Sequence, residues 1–286
     1  MKYGDFTSLC DRSPLPVCRV FKDYELPSCS LHGYSAGSSF IVNLPDFVAS
    51  IIAFLVMMYL AFRAHRKIAA VGRREITVLF LLFAIMLAFN IAGADFIHNS
   101  RTANRWLGAV NTALVVAFFC ILILFGSVGF QFMADGSFAS ILTFVGVGIV
   151  IFITMGFIAV DTAFGVSSGL QPKPSQPFLS YGLFTIYLVF PLVAIVIFMV
   201  MQTIIVVKFL AVRRPLLWLL CAFICFAVAQ ALMFGASEKI CTGSNSKIDG
   251  AFFATLLDTA ALVCVYGFWS TITVDDSEEY DDVYKY

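Results

Sequence analysis

Seven apolar stretches, each near the length needed to cross a bilayer, recur along this 286-residue chain. Hydrocarbon offers no partner to a backbone amide. Each run of about 20 apolar residues must therefore fold as a helix that pairs its own N–H and C=O groups. The runs are placed at about Phe40–Phe62, Ile76–Ile97, Trp106–Phe132, Phe138–Val160, Phe178–Val207, Leu216–Ala236 and Ala251–Ile272. The fold class that follows is all-α, a polytopic membrane protein built as a seven-transmembrane helix bundle. Composition agrees: 60% of residues are apolar and 13% charged, against about 45–50% and about 25% in soluble chains. Net charge is zero, which gives no reason to expect nucleic acid or an acidic substrate.

Three regions are expected: an N-terminal arm over 1–39, a transmembrane domain over 40–272 and an acidic tail over 273–286. The arm is too small to fold without staples. It opens without the short apolar segment of a cleavable signal, so insertion is expected to rely on the first span. That span is the weakest, because Asn43, Pro45 and Asp46 interrupt its start. Pro191 is expected to kink the fifth. Short connections predict helices packed in sequence order, with an irregular loop over 165–177 around Pro172, Pro174 and Pro177.

Lysine and arginine near the spans set the orientation. The arm and even-numbered loops carry Lys22, Arg101, Arg105, Lys173, Lys239 and Lys247. The opposite face carries Arg63, Arg66, Lys67, Arg73, Arg74, Lys208, Arg213, Arg214 and Lys285. Counting the distal Lys2, Arg12 and Arg19 would level the two faces, and the dense first loop decides. The arm is expected in the lumen and the tail in the cytosol. Cys10, Cys18, Cys29 and Cys241 all fall on the lumenal side, an even number where disulfides form, while Cys120, Cys221, Cys225 and Cys264 lie within helices and read as small apolar residues. Two disulfides are expected among the first four, and spacing does not choose among the three pairings.

Several polar side chains lie inside the apolar runs: Asp46, Asn90, Asp95, Asn111, Gln230 and Asp258. All fall toward the lumenal ends. Asp258 is about 10 Å deep at 1.5 Å per residue and Gln230 about 9 Å, so these two are placed to meet. Carboxylates at such depth face the bundle interior, either fixing helix packing or lining a cavity. Asp46, Asp95 and Asp258 have no Lys or Arg at matching depth, and His98, one turn after Asp95, is the basic neighbour.

Catalytic constellations are missing. Three histidines, His32, His65 and His98, are scattered over the arm, the first loop and the second span, too far apart in the topology to hold zinc together. The chain has no phosphate loop or dinucleotide turn. The seventh run has no lysine for a Schiff base. No enzyme activity, cofactor, metal or small-molecule substrate is expected. The first loop gathers Arg63, Arg66, Lys67, Arg73 and Arg74, suited to anionic headgroups or an acidic partner as well as to anchoring. The tail carries six acids over 275–282. Asp276 and Glu278 have a di-acidic export pattern and Tyr280 opens a sorting-adaptor pattern, against the plainer reading of a solvated tail.

Beyond these residues the chain resembles the fungal chitin synthase export chaperones. The likeness begins with Gly4-Asp5-Phe6, Leu9-Cys10 and Pro14-Leu15-Pro16-Val17-Cys18. It continues with Val71-Gly72-Arg73-Arg74-Glu75-Ile76-Thr77, then Gly126, Gly129-Phe130-Gln131 and Asp135-Gly136. It ends with Ser237-Glu238-Lys239-Ile240-Cys241, Asp249-Gly250-Ala251-Phe252-Phe253-Ala254-Thr255, Val265-Tyr266, Trp269 and Ile272-Thr273. The chain departs at Ala94-Asp95-Phe96-Ile97-His98-Asn99, where the family has a Pro-Pro-Gly segment, and at Asn90, where an aspartate is expected.

The resemblance implies a membrane-embedded escort in the endoplasmic reticulum that binds a polytopic chitin synthase and permits its export. It implies contact through the helices, with Arg73, Arg74, Glu75, Lys239 and Asp249 as partner-contact candidates. It also favours Cys241 pairing with Cys10 or Cys18, the cysteines of the family-like segments. A seven-helix receptor or sensor is the alternative reading, and a small-solute or proton transporter a further one.

Overall fold

The computed structural model describes residues 2–22, 29, 31, 33–36, 39–41, 43–67, 70–96, 101–130, 137–167, 177–210 and 214–273, with backbone alone at 34–36, 39–41, 94–96 and 209–210. Seven helices in it are long and apolar enough to cross a membrane. They are Leu44–Arg66, Arg73–Phe96, Arg101–Val128, Phe138–Phe164, Tyr181–Lys208, Arg214–Gly243 and Gly250–Ile272, called here the first to seventh spans. The arm adds a short helix, Thr7–Arg12, a 3₁₀ turn, Pro16–Val20, and a two-stranded hairpin of Tyr34–Ala36 with Ser39–Ile41.

Helix ends show where hydropathy misleads. Asn43, Pro45 and Asp46 do not interrupt the first span; they start it. The Asn43 side chain accepts the Asp46 amide at 3.2 Å, and Pro45 sits in the first turn, where a missing N–H costs nothing. The sixth span passes the expected end at Ala236, continuing through a wide turn over Leu232–Ala236 to Gly243. Polar Ser237, Glu238 and Lys239 end the apolar pattern without ending the helix. In the fifth span a wide turn over Thr185–Val189 precedes Pro191, and the Phe190 amide bonds the Thr185 carbonyl five residues back. That turn accommodates a proline that has no amide to give.

The spans do not simply pack in sequence order. The sixth packs along the seventh, the seventh on the first, the first on the second, the second on the third and the third on the fifth. The fourth lies outside this arc, packed against the third and touching the second, with few of its residues fully buried. The fifth and sixth barely touch. The bundle is therefore a C of six helices with its seam between the fifth and sixth. Met57, Leu79, Phe80, Ile121, Leu219 and Phe268 fill its core. Among helices already in lipid such a core is held by close packing and not by removing apolar surface from water.

A second core lies where the arm meets the bundle. Phe6, Val17 and Phe21 are fully buried there with Ala109, Ala159, Leu183 and Ala229. Gly108 of the third span lets the arm approach, since a Cβ there would stand 2.9 Å from the Pro16 carbonyl oxygen. The arm also crosses the seam. On the fifth span Tyr3 meets the Thr185 hydroxyl, and Phe6 meets Phe184 at 5.5 Å between ring centres. On the sixth span the buried Ser13 hydroxyl donates to the Met233 carbonyl. The exposed Arg12–Glu238 pair, at 3.8 Å, contributes little.

Two disulfides staple the arm, Cys10–Cys18 and Cys29–Cys241, so the expected partner of Cys241 is corrected. The chain reverses between the short helix and the 3₁₀ turn, which brings Cys10 and Cys18 to 5.6 Å between Cα atoms. Cys29 lies nearer the first span, which packs on the seventh beside the Cys241 turn. In a non-reduced digest we expect these two cross-linked peptide pairs, with four thiols (Cys120, Cys221, Cys225 and Cys264) reactive after denaturation. Eight reactive thiols, or a Cys10–Cys241 peptide, would contradict the arrangement.

Candidate functional site

At the arm end of the bundle, two helix caps hold each other. Asn43 accepts the Asp46 amide with its side-chain oxygen, and its Nδ2 donates to Asp249 Oδ2 at 2.9 Å. Asp249 caps the seventh span with its other oxygen, accepting the Phe252 amide at 3.3 Å. Beside them the Gly250 amide donates to Ser237 Oγ at 3.1 Å, joining the sixth span. A Cβ on Gly250 would lie 2.7 Å from the Leu232 carbonyl oxygen, so the position has no room for a side chain. The Cys29–Cys241 bond closes the same corner.

Below this clasp opens a cavity of about 890 Å³, lined by six spans and the arm, with the fourth span contributing nothing to its wall. Asp46, Ser50, Asn90, Gln230, Thr255 and Asp258 face its arm end. Thr255 Oγ1 donates to Asp46 Oδ1 at 2.7 Å, and Gln230 Nε2 donates to Asp258 Oδ1 at 3.4 Å. Asn111, buried in the third span, donates to Asn90 of the second. The deeper half is apolar, with Phe83, Phe118, Phe119, Phe198, Phe226 and Leu262. Asp46 and Asp258 lie within the bundle yet retain accessible surface, which is the surface of the cavity wall.

A cation reaches this layer from a place helix depth does not reveal. Arg19, from the 3₁₀ turn of the arm, lines the same cavity, and its charge reaches Asp46. A Cβ on Gly93 would stand 2.8 Å from its guanidinium. The expectation that no Lys or Arg shares the depth of Asp46 is corrected here, because the arm folds inward. The signal was available: Arg19 sits in an apolar run beside the Cys10–Cys18 staple. The reading also missed Asp161, buried at the end of the fourth span, where it accepts the Ser167 hydroxyl at 2.7 Å. The side chains of Asp95 and His98, and Asp276, Glu278 and Tyr280 of the tail, lie outside the described residues.

The proposed contact residues divide. Arg74 and Lys239 are exposed and Arg73 is half-buried. Glu75 is buried, accepting the Ser140 hydroxyl at 2.6 Å, and Asp249 is buried in the clasp. Both act inside the fold, so their reading as surface contacts is corrected. Trp269 Nε1 donates to the Val71 carbonyl at 2.8 Å beside Gly72, whose φ is +70°. The family-like segments thus secure both ends of the bundle. Three thiols, Cys221, Cys225 and Cys264, gather between the sixth and seventh spans with their sulfurs within 4.8 Å.

Burial pushes the Asp249 carboxyl above its ordinary 3.8, an effect the Asn43 amide partly offsets. The folded chain then holds this proton more tightly than the unfolded one. The residue's contribution to stability falls as pH rises from about 3.8 through the raised folded value. Thermal unfolding in detergent between acid and neutral pH should show a shallower slope for Asp249→Asn. Asp249→Ala should be the less stable variant by about 1–3 kcal/mol, having lost the cap and stranded Asn43. Equal loss in both, with the slope unchanged, would dispose of the clasp. Asp258→Asn should likewise be tolerated better than Asp258→Leu, which strands Gln230. If both fail alike, the carboxylate itself is required.

Residues 2–281 match the family described as chitin synthase export chaperone. A chitin synthase export chaperone of Kluyveromyces lactis is 27% identical over 97% of this chain and 94% of its own length. That of Cryptococcus neoformans is 31% identical over 97% and 76%, and that of Neurospora crassa 28% over 97% and 78%. No solved structure matches. With the match running from the arm through the seventh span, the chain belongs to the chitin synthase export chaperones, a family of export factors and not of enzymes.

Proposed function

We propose that this protein binds a polytopic chitin synthase in the membrane of the endoplasmic reticulum and permits its export, with the arm in the lumen and the tail in the cytosol. The observation that carries the reading is the family match over 2–281. The stapled arm supports the orientation, since disulfides form and persist in an oxidising compartment. The opposite end carries exposed Arg63, Arg66 and Arg74, in keeping with a cytosolic face. A helper for a membrane protein works by covering helix faces of its client, where small residues and polar groups pack. Contact runs through the outward faces of the spans, aided by Arg73 and Arg74 at one end and Lys239 at the other. The acidic tail, with Asp276, Glu278 and Tyr280, acts in sorting and not in folding.

Deleting the gene should leave the synthase made but retained inside the cell, with less chitin in the wall. Charge reversal at Arg73 and Arg74 should reduce co-purification of the synthase in mild detergent several-fold more than the same change at Arg213 and Arg214. Unchanged synthase delivery and wall chitin after deletion would end the escort reading, and a receptor using the polar cavity would take its place.

A further inference from the structure

The cavity has a shape that selects its occupant. Its volume of about 890 Å³ lies within the roughly 300–1,000 Å³ of small-ligand pockets. A helix is about 10–12 Å across with its side chains, so one turn fills roughly 400–600 Å³. The cavity thus takes about two turns, whereas a spanning helix has more than five. A whole spanning helix does not fit; a single small amphiphile does.

The way in is sideways. Arg12, Leu15, Arg19 and Cys29 of the arm lie across the polar end, held by the Cys29–Cys241 bond and by Ser13 on the Met233 carbonyl. Between the loosely apposed fifth and sixth spans, Leu192 and Phe223 line the cavity and are themselves exposed. The mouth therefore opens toward acyl chains. Wide helical turns border it on both spans, placing Tyr187 and Met233 on its wall.

Its lining states the chemistry of the head. Ser50 is 1% exposed, lines the cavity and has no hydrogen-bond partner for its Oγ, and Asn104 Oδ1 is likewise unpartnered. A buried hydroxyl left so is a cost that a hydrogen-bonding occupant removes. Asp46 and Asp258 stand at the same level, where their oxygens accept from a hydroxyl, and with Arg12, Arg19 and Arg101 also on the wall neither sign of charge prevails. Below them the wall is aromatic and apolar. We propose that this cavity binds one neutral, hydroxyl-headed membrane lipid, entering between the fifth and sixth spans. The hydroxyl sits at Ser50 and the two carboxylates, and the apolar body lies among Phe119, Phe226 and Leu262. Sterols and monoacylglycerols share that chemistry.

The test uses full-length protein in mild detergent, without synthase, so its result is independent of the escort reading. Three alkyne-tagged photoreactive probes are compared: a sterol, a monoacylglycerol and an anionic phosphatidylserine. One neutral probe should label saturably, be competed by its untagged parent, and map to peptides of the fifth and sixth spans; which one does so identifies the source. Ser50→Ala should weaken its apparent affinity about three- to tenfold without lowering thermal stability, because the hydroxyl has no partner in the protein. Ala222→Trp, which fills the cavity, should abolish labelling. Non-saturable labelling by both neutral probes, preference for the anionic one, or undiminished affinity in a folded Ser50→Ala protein would overturn the proposal.

Discussion

The bond between Asn43 and Asp249 is the point on which the bundle closes. Each residue caps its own helix with one side-chain oxygen and uses its remaining group to reach the other cap. The first and seventh spans, farthest apart along the transmembrane domain, are thereby neighbours in space at a fixed height. Ser237 joins the sixth span to the same corner through the Gly250 amide, and Cys29–Cys241 adds the arm. For a free chain, closing a loop of this separation would contribute about 5 kcal/mol by loop entropy. Spans already threaded through a membrane are confined before they pack, so the bond contributes less than that here. Its main effect is positional.

The segments that carry the family likeness gather at such corners. Ser237, Cys241, Asp249 and Gly250 form the clasp; Val71, Gly72, Glu75 and Trp269 secure the far end. Gly126 and Gly129 let the fifth span close on the third, where a Cβ would stand 3.1 Å from Phe198 and 2.6 Å from Ile205. Likeness in these segments therefore speaks first of a shared bundle. The lipid-facing side chains lie elsewhere, where many apolar residues serve equally well and leave no short motif. Glu75 and Asp249 illustrate the confusion, for a charged residue in a family-like segment reads as a contact until its burial is known.

The seven spans were legible because lipid imposes one rule along the whole run, a backbone paired within the segment and covered by apolar side chains. Helix ends were less so, since they depend on single bonds. Asn43 and Asp46 look like an interruption to hydropathy and are a cap in three dimensions. The meeting of Gln230 with Asp258 was expected from depth, and the sixth and seventh spans do pack along each other. Arg19 escaped the same arithmetic because the arm is not a rod: a reversal of chain between Cys10 and Cys18 carries a cation inward. The disulfide partners escaped for the same reason. A pairing between loops depends on which spans are neighbours, and hydropathy is silent on that.

The arm also resolves a difficulty created by the seam. Two spans that barely touch gain little from packing against each other, so their separation must be set from outside the seam. On one side the third span holds the fifth through Gly126, with Gln202 Nε2 donating to its carbonyl at 3.4 Å. On the other the seventh holds the sixth along much of its length. Across the gap itself the arm touches both, with Phe6 on Phe184 and Ser13 on the Met233 carbonyl. A covered core beneath the strap, with Phe6 and Phe21 5.3 Å apart, makes it stiff enough to act as a spacer. The arm's disulfides and the cavity's polar layer are thus parts of one device. Staples fix the strap, and the strap bridges the seam between the fifth and sixth spans.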